Sequence, residues 1–389
     1  GLTRGFCIHI SQAYGKKDYH LVNRGFFVAS VLSLIVGAMI SIVGSLAIRD
    51  FLILMHTPGE ILEQSLDYIK VILLGFVITV LNNLFMSVLQ SLGDSSTPFW
   101  ALLVSSVTNI GLDCVFVLTL KWGVQGAAAA TVLSQVFSFA ICAAGLKRLK
   151  FVSILDGSKS KNARLTVRML KTGLPVGIMS MVTAVGGMIL QFFVNDLGAS
   201  AVAAYAASTK IRSVIGEFSN AMGMTFMTFV GQNYGAQKYD RIKAGVRMGV
   251  LLSILIHIPL SAVEIFGGKR IASLMVTDPP VLELCRQYLL IVGIFVFFLG
   301  FLMVFRNCIQ GMGNTWIPML SGGLEVFSRL IFGYWLGRHS FMGIAAAEAS
   351  AWISVSIMLG SSFFILFRKV LRTQTPENTT DTKNIRTVS

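Results

Sequence analysis

Stretches of about twenty apolar residues recur along the whole chain, and they restrict its possible folds more than any other feature. A helix needs about 20 predominantly apolar residues to cross a hydrocarbon core about 30 Å thick. The clearest examples are 25–48, 71–89, 124–146 and 343–367. Only 13% of the residues are charged, against about 25% in ordinary globular proteins. Because so few charges cannot cover a water-soluble surface, the sequence predicts an all-α membrane protein.

Eleven apolar segments are predicted to span the membrane, and the first of them is incomplete. They cover 1–13, 25–48, 66–90, 98–120, 124–146, 172–195, 208–230, 245–266, 284–310, 317–337 and 343–367. The connections between them are too short to contain a large soluble domain. We therefore expect a multi-pass protein of the inner (plasma) membrane that has the lipid bilayer as its main partner and acts as a monomer.

The basic residues that produce the net charge of +14 are concentrated in alternate connections between spans. They do not follow one amphipathic face, as they would in a nucleic-acid-binding protein. The positive-inside rule accounts for such alternation, since Lys and Arg are enriched in cytoplasmic loops. We therefore expect no nucleic-acid partner, and we predict that the basic segment 148–171 is cytoplasmic.

An internal repeat relates two parts of the chain that lie 220 residues apart (232 minus 12). The segment SQAYGKKDYH, which contains Gln12 and Gly15, matches GQNYGAQKYD, which contains Gln232 and Gly235. The same separation relates LQSLGDSSTP to IQGMGNTWIP. Several polar, Gly and Pro matches at one separation indicate a duplication. Each unit would contain six helices, and an even number makes the two repeats parallel in the membrane.

The repeat and the basic segment together predict the domain organisation. We assign 1–147 to an N-terminal lobe, 148–171 to a cytoplasmic linker, 172–367 to a C-terminal lobe and 368–389 to a cytoplasmic tail. The tail lacks apolar periodicity, so we expect it to be disordered. The position in the first repeat that is equivalent to the start of the second repeat would come before residue 1. On a twelve-helix plan, we therefore expect helix 1 and part of helix 2 to be missing from the N-terminal lobe.

The ordered motifs resemble those of the multidrug and toxic compound extrusion (MATE) family. The matching segments are SQAYG, LQSLGDSSTP, NIGLDCVFV, GVQGAAAATVLSQ, GLPVGI, AVAAYAASTKI, VGQNYGAQKYDRIKAGV and GMGNTWIPML. The resemblance implies a twelve-helix, two-lobed antiporter that exports organic cations or other amphipathic compounds in exchange for H⁺ or Na⁺. It implies no cofactor besides the transported ion.

The chain is most similar to the branch named for DNA-damage-inducible protein F, because its seventh helix carries no Glu. In that branch the cation site uses an Asp on helix 1, which would lie outside this sequence. The resemblance assigns the helix 5 positions to Asn109 and Asp113 and the helix 6 position to Thr131. For helix 4 it favours Asn83, with Asn82 as the alternative.

Asn109 and Asp113 are candidates for a functional role even without the family resemblance. They are four residues apart, so they share one face of a helix. An Asp in the middle of the bilayer costs about 2.5–3.5 kcal/mol on insertion scales. Either coupling to a cation or a structural hydrogen bond to a neighbouring helix would explain that cost. We expect Asp113 to be a coupling residue.

Other polar residues inside the spans have different expected roles. Glu325 and Arg329 are four apart, which predicts a structural ion pair. Glu348, near the start of the last span, is expected at the membrane interface. Gln191 and Asn195 share a face of helix 7 and could line a substrate cavity.

Glu217 in the eighth helix is a further candidate for the substrate cavity, because it has no obvious local partner. The main alternative function is a lipid-linked oligosaccharide flippase of a related transporter class. Such a flippase would need a strongly basic cavity, and few Arg or Lys lie within the spans. The sequence contains no HExxH, no Ser/His/Asp constellation and no nucleotide-binding loop, so we do not expect an enzyme.

Overall fold

Long α-helices account for most of the structure, a computed structural model that describes residues 1–54, 58–153 and 162–372; these ranges contain no β-strand. The first helices are α1 (Leu2–Gly15), α2 (Tyr19–Leu54), α3 (Gly59–Leu74), α4 (Phe76–Ser91), α5 (Ser96–Asp113) and α6 (Gly123–Arg148). They are followed by α7 (Ala163–Asn195), α8 (Ala199–Gly235), α9 (Tyr239–Ala262), α10 (Gly268–Ala272), α11 (Pro279–Gly311), α12 (Trp316–Phe332) and α13 (Phe341–Arg372). Turns of π-helix at Cys114–Thr119, Val263–Gly267 and Gly333–Gly337 continue α5, α9 and α12.

Within the described ranges, seven helices are long and apolar enough to cross a membrane, or eight if a bent pair counts as one span. The prediction of an all-α, multi-pass membrane protein is confirmed. Several helices extend beyond the predicted spans; α8, for example, runs from Ala199 to Gly235 rather than from 208 to 230. The apolar pattern marks only the part of a helix that lies in hydrocarbon, whereas the helix continues into the polar interface.

The predicted span 66–90 is not one straight helix. The axis bends by 49° between α3 and α4, and Gly75 is the residue at the break. A Cβ at this position would clash with the side chain of Val132 in α6. The bend therefore coincides with a close approach between helices, which an apolar pattern does not reveal.

Two pairs of residues with positive φ recur at the separation found in the sequence. Lys17 has φ 60° and Gln237 has φ 58°, and both follow the end of a helix. Gly93 and Gly313 have φ of 93° and 91°. Both pairs are 220 residues apart (237 minus 17, 313 minus 93). Glycine is favoured at the second pair because the left-handed region penalises a Cβ.

Equivalent hydrogen bonds explain why the glutamines of the repeated motif recur. Gln12 Nε2 donates to the carbonyl of Gly311 at 2.9 Å, and Gln232 Nε2 donates to the carbonyl of Ser91 at 3.0 Å. A Cβ on Gly15 would clash with the carbonyl of Gln232. The motif therefore combines a side-chain donor with a glycine that permits close backbone approach.

The helices form two compact units. The first contains Gly1–Val182, Gly223–Lys238 and Gln310–Met319, and the second contains Thr183–Met222, Tyr239–Ile309 and the chain from Leu320 onward. The core of the first unit is apolar and includes Phe6, Phe26, Phe85, Leu89 and Met169. In the second unit, the largest fully buried side chains include Trp352, Tyr288, Leu190, Ile242 and Leu289.

The predicted lobe boundaries at 1–147 and 172–367 stay predictions. Helix α7 begins at Ala163, inside the segment 148–171 that we assigned to a linker. Helix α13 continues to Arg372, inside the predicted tail 368–389. Residues 154–161 and 373–389, which carry the rest of these two assignments, lie outside the described residues.

Candidate functional site

A polar pocket between α4, α5 and α6 in the first unit contains three of the four residues assigned to cation coupling. Asn83, Asn109 and Thr131 line it, and its volume is about 270 Å³. We call it the amide pocket. Its other lining residues are Thr79, Asn82, Met86, Leu102, Ser105, Ser106, Ser134, Gln135 and Ser138.

The wall contributed by α6 is a polar stripe with helical spacing. Thr131, Ser134, Gln135 and Ser138 follow one another at intervals of three, one and three residues, so they lie on one face of the helix. Ser105 Oγ donates to the carbonyl of Ser134 at 2.9 Å, which joins α5 to α6. Sequence analysis singled out only Thr131, although the polar spacing within an apolar span was a signal that could have identified the other three.

Five buried polar atoms at or near the amide pocket lack a hydrogen-bond partner within the described part of the chain. They are Asn82 Oδ1, Asn109 Nδ2, Asp113 Oδ1, Gln135 Oε1 and Ser138 Oγ. Buried polar atoms are nearly always hydrogen-bonded, so each exception calls for an explanation. Four of the five are oxygens, which are the ligands that hard cations prefer. The arrangement is suited to binding a cation or to protonation of the carboxylate.

Asp113, the fourth predicted coupling residue, is not among the side chains that line the pocket. It lies one turn beyond Asn109 at the end of α5, where the helix changes to a π-helical turn. Its side chain is partly buried. Irregular turns of this kind are frequent at functional sites. The roles of Asp113, Asn109, Thr131 and Asn83 in coupling remain predictions.

Asn82 and Asn83, between which the sequence left the helix 4 position open, both line the amide pocket. Asn82 is 8% exposed, whereas Asn83 is exposed. Asn83 also lines a second cavity, with a volume of about 420 Å³. Small-molecule sites typically measure about 300–1,000 Å³, so this cavity is large enough for a small amphipathic compound.

The second cavity, which we call the apolar cavity, also belongs to the first unit. Its walls come from α1, α2, α4 and α7 and are mostly hydrophobic; the polar lining residues are Thr3, Ser33, Asn83 and Ser180. The other lining residues are Gly1, Leu2, Thr3, Phe6, Ser33, Val36, Ile40, Phe76, Val80, Leu174, Gly177, Ile178, Ser180 and Met181. Asn83 therefore lines both the amide pocket and the apolar cavity.

The second unit contains a buried charge cluster, which we define as Arg212, Arg306, Glu325, Arg329 and Glu348. Glu325 Oε1 lies 3.0 Å from Arg329 Nη2, at the position where the sequence predicted a structural ion pair. Its other oxygen lies 3.0 Å from Arg306 Nη2. The pair is therefore not self-contained, because Arg306 of α11 shares the carboxylate.

Glu348 belongs to the same charge cluster, which the sequence did not predict, and its expected position at the membrane interface stays a prediction. It is only 2% exposed. Its carboxylate pairs with Arg212, accepts a hydrogen bond from the hydroxyl of Tyr288 and lies 3.5 Å from Arg329 Nη2. Trp352 lies beneath the Arg212 guanidinium, 5.1 Å from ring centroid to Cζ. A buried carboxylate is tolerated where two guanidinium groups neutralise it.

The three candidates for a substrate cavity in the second unit do not belong to the charge cluster. Gln191 Nε2 donates to Asn195 Oδ1 at 2.8 Å, so these two residues do share a helix face. Asn195 and Glu217 are exposed. Their contribution to substrate binding remains a prediction.

Comparison with known proteins places these features in a family context. The sequence model of the MatE family matches residues 1–115 and 175–335. The chain is 27% identical over 367 residues to the probable multidrug resistance protein YoeA of Bacillus subtilis (strain 168), covering 89% of this chain and 79% of YoeA. It is 23% identical over 374 residues to the probable multidrug resistance protein NorM of Thermotoga maritima, covering 94% of this chain and 79% of NorM.

The fold is also similar to solved structures. A crystal structure of MATE in the bent conformation superposes with a TM-score of 0.87 and 22% sequence identity. The superposition covers 96% of this chain and 84% of that chain. The fold is thus that of a solved MATE structure, and the predictions of a twelve-helix plan and of an inner-membrane protein are confirmed.

Proposed function

Because this chain belongs to the multidrug and toxic compound extrusion (MATE) family, we propose that it is a secondary active antiporter that exports organic cations or other amphipathic compounds in exchange for H⁺ or Na⁺. The observation that carries the proposal is the position of Asn83. Its side chain lines both the amide pocket and the apolar cavity. An ion in one and a substrate in the other would compete for, or reposition, the same amide.

The amide pocket supplies the ion site. The unpaired oxygens of Asn82, Asp113 and Gln135 would coordinate Na⁺, or Asp113 would take up a proton instead. Asn109, Thr131 and Asn83 complete the predicted coupling set. Na⁺ requires the charged carboxylate and a proton removes that charge, so the two ions are alternatives at one carboxylate.

The apolar cavity supplies the substrate site. Neither it nor the amide pocket has a Lys or Arg among its lining residues. A cation would therefore meet no repulsive charge in either place, whereas the pyrophosphate of a lipid-linked oligosaccharide would find no basic partner. This difference favours export of cationic or neutral amphipathic compounds over the flippase alternative.

Coupling follows if the ion and the substrate favour different packings of the helices around Asn83. A ligand shifts a conformational equilibrium only by its difference in affinity for the two states. Ion binding to the amide pocket would stabilise the state with low substrate affinity, and ion release would restore the other state. Alternating access in parallel-repeat transporters follows this scheme.

The test is export by the purified protein in proteoliposomes under separately imposed Na⁺ and pH gradients. We expect accumulation of a fluorescent organic cation to depend on one of the two gradients. Asn83→Ala should abolish the gradient dependence, because it removes the amide common to both cavities. Asn307→Ala is the matched control, since Asn307 lies outside both cavities and, among the described residues, donates to the Met303 carbonyl of its own helix. An export rate that is the same with and without either gradient would refute antiport.

A further inference from the structure

A second carboxylate is buried without a hydrogen-bond partner, far along the chain from the amide pocket. Glu264 is 1% exposed. Both of its carboxylate oxygens are buried, and neither has a hydrogen-bond partner among the residues that the structure describes. A buried carboxylate normally accepts several hydrogen bonds, and leaving it unpaired is costly. Since sequence analysis assigned no role to this residue, its burial needs a separate explanation.

The backbone around Glu264 is adapted to hold this side chain. Glu264 lies on the π-helical turn Val263–Gly267 that interrupts the span between α9 and α10. On the facing helix α11, a Cβ at Gly293 would lie 3.1 Å from Glu264 Cβ and 3.5 Å from its Oε2. Gly293 thus provides the space that the carboxylate occupies. Turns of π-helix inside α-helices are frequent at functional sites.

The charge cluster provides the electrostatic setting. Its three arginines and two glutamates are joined by ion pairs, and three minus two leaves one surplus positive charge. Glu264 interacts electrostatically with Arg212 of α8 and with Glu348 of α13. Gly293 faces it from α11 without any charge. With Glu264 ionised, the six groups are neutral overall; with Glu264 protonated, they carry one positive charge.

A stripe of buried polar groups leads along the same helix face to Glu264. Ser253, His257, Ser261 and Glu264 are spaced by four, four and three residues, and none is more than 7% exposed. His257 contacts Ser219 Oγ through Nε2 at 2.9 Å. These residues face the same side of α9. Ser261 Oγ donates to the Gly293 carbonyl at 2.8 Å, so the stripe ends beside Glu264 without a hydrogen bond to its carboxylate from any described residue.

We propose that Glu264 is a second proton-binding site, which takes up and releases one proton during transport and thereby sets the charge of the buried cluster. Two opposing effects allow Glu264 to exchange a proton. Burial disfavours the charged carboxylate, whereas the surplus positive charge of the cluster favours it. The balanced step is the transfer of one proton from water to the carboxylate to form the neutral acid, and the return of that proton to water. This inference rests on the proposed antiport and extends it to the second unit.

Infrared spectroscopy of the purified protein tests the site directly, since a protonated carboxyl group has a carbonyl band that a carboxylate lacks. We expect this band in the wild type to decrease as the pH rises, with an amplitude of one group that is missing in Glu264→Gln. Glu283→Gln is the matched control, because Glu283 is exposed and paired with Lys269 and Arg286. That control should keep the band. Identical titrations of the wild type and Glu264→Gln would overturn the proposal.

Glu264→Asp keeps the test decisive if Glu264→Gln does not fold. The shorter carboxylate should retain the titrating band with a displaced midpoint, and an undisplaced midpoint would show that another group titrates. In proteoliposomes, export driven by a pH gradient should fall about tenfold in Glu264→Gln, within the usual range of coupling between sites. If wild-type vesicles show no gradient-driven export, antiport fails, but the infrared titration still decides whether Glu264 exchanges a proton.

Discussion

The amide pocket of the first unit and the charge cluster of the second unit accommodate polar groups inside a membrane in opposite ways. The amide pocket collects neutral amides and hydroxyls one helical turn from the Asp113 carboxylate and leaves several of their atoms unpaired. The charge cluster collects formal charges and pairs most of them with one another. The Nε atoms of Arg212, Arg306 and Arg329 also lack a hydrogen-bond partner among the described residues. The two regions therefore differ in charge compensation: the charges of the cluster neutralise one another, whereas no described residue that lines the amide pocket supplies an opposite charge.

Energetics explain why the two arrangements have different roles. An unpaired neutral amide costs about 1–3 kcal/mol, which an arriving ion can offset by binding to it. In a buried ion pair, the attraction between the two charges already offsets their desolvation cost, and removing one partner leaves an uncompensated charge. We therefore expect substitutions in the amide pocket to change transport more than stability, and substitutions in the charge cluster to change stability first.

The largest effect on transport is expected for Asp113→Asn. The amide keeps the size of the side chain but cannot carry a charge or bind a transferable proton, so ion-driven export should be abolished. Folding should be unaffected, because Asp113 Oδ1 accepts no hydrogen bond from a described residue. The measurement compares gradient-driven efflux with equilibrium binding of the organic cation.

Asp196→Asn is the control for that substitution, because Asp196 is exposed just after α7. It should export at the wild-type rate. If Asp113→Asn also exports at the wild-type rate, Asp113 is a packing residue. Glu217 of the second unit would then become the next candidate for the coupling carboxylate.

The largest effect on stability is expected for Glu348→Gln. This change leaves the guanidinium groups of Arg212 and Arg329 without their shared counter-charge, and breaking a buried ion pair costs about 3–5 kcal/mol. The free energy of unfolding in detergent should fall by that amount. Glu283→Gln removes an exposed carboxylate from the same unit and should change it little. Equal stabilities of the two variants would contradict the view that the cluster is held together by its pairing.

A smaller effect separates binding from stability within the amide pocket. Asn109→Ala should reduce the affinity for the coupling ion about tenfold, which corresponds to about 1.4 kcal/mol. The free energy of unfolding should fall by less than about 1 kcal/mol, since Asn109 Nδ2 makes no hydrogen bond to the described protein and a typical hydrogen bond contributes about that much. Ion binding can be followed by isothermal calorimetry.

Asn307→Ala provides the opposite control in this experiment. Asn307 does make a hydrogen bond, to the Met303 carbonyl at 2.8 Å, but lies outside the amide pocket. It should lower stability without changing ion affinity. A loss of stability in Asn109→Ala larger than in Asn307→Ala would show that the pocket is a structural element rather than an ion site.

Features that depend on neighbours within one helix could be predicted from the sequence. The apolar spans, the repeat separation of 220 residues (232 minus 12) and the shared helix face of Asn109 and Asp113 all follow from the period of the α-helix and from its length. The proximity of Glu325 and Arg329 is equally local, because residues four apart on a helix are neighbours.

Contacts between helices could not be predicted in the same way. Arg306 lies 19 residues from Glu325 along the chain, and Tyr288 lies 60 residues from Glu348. The spacing of residues on one helix does not predict which face of another helix packs against them. The same applies to the bend at Gly75 and to Gly293 beside Glu264. The amino-acid pattern therefore specifies which residues form spans and how the spans repeat, whereas the rotation and spacing of packed helices determine which buried polar groups find partners. Glu264 shows the difference, because its sequence neighbours resemble any apolar span and its unpaired carboxylate becomes visible only once α8, α11 and α13 surround it.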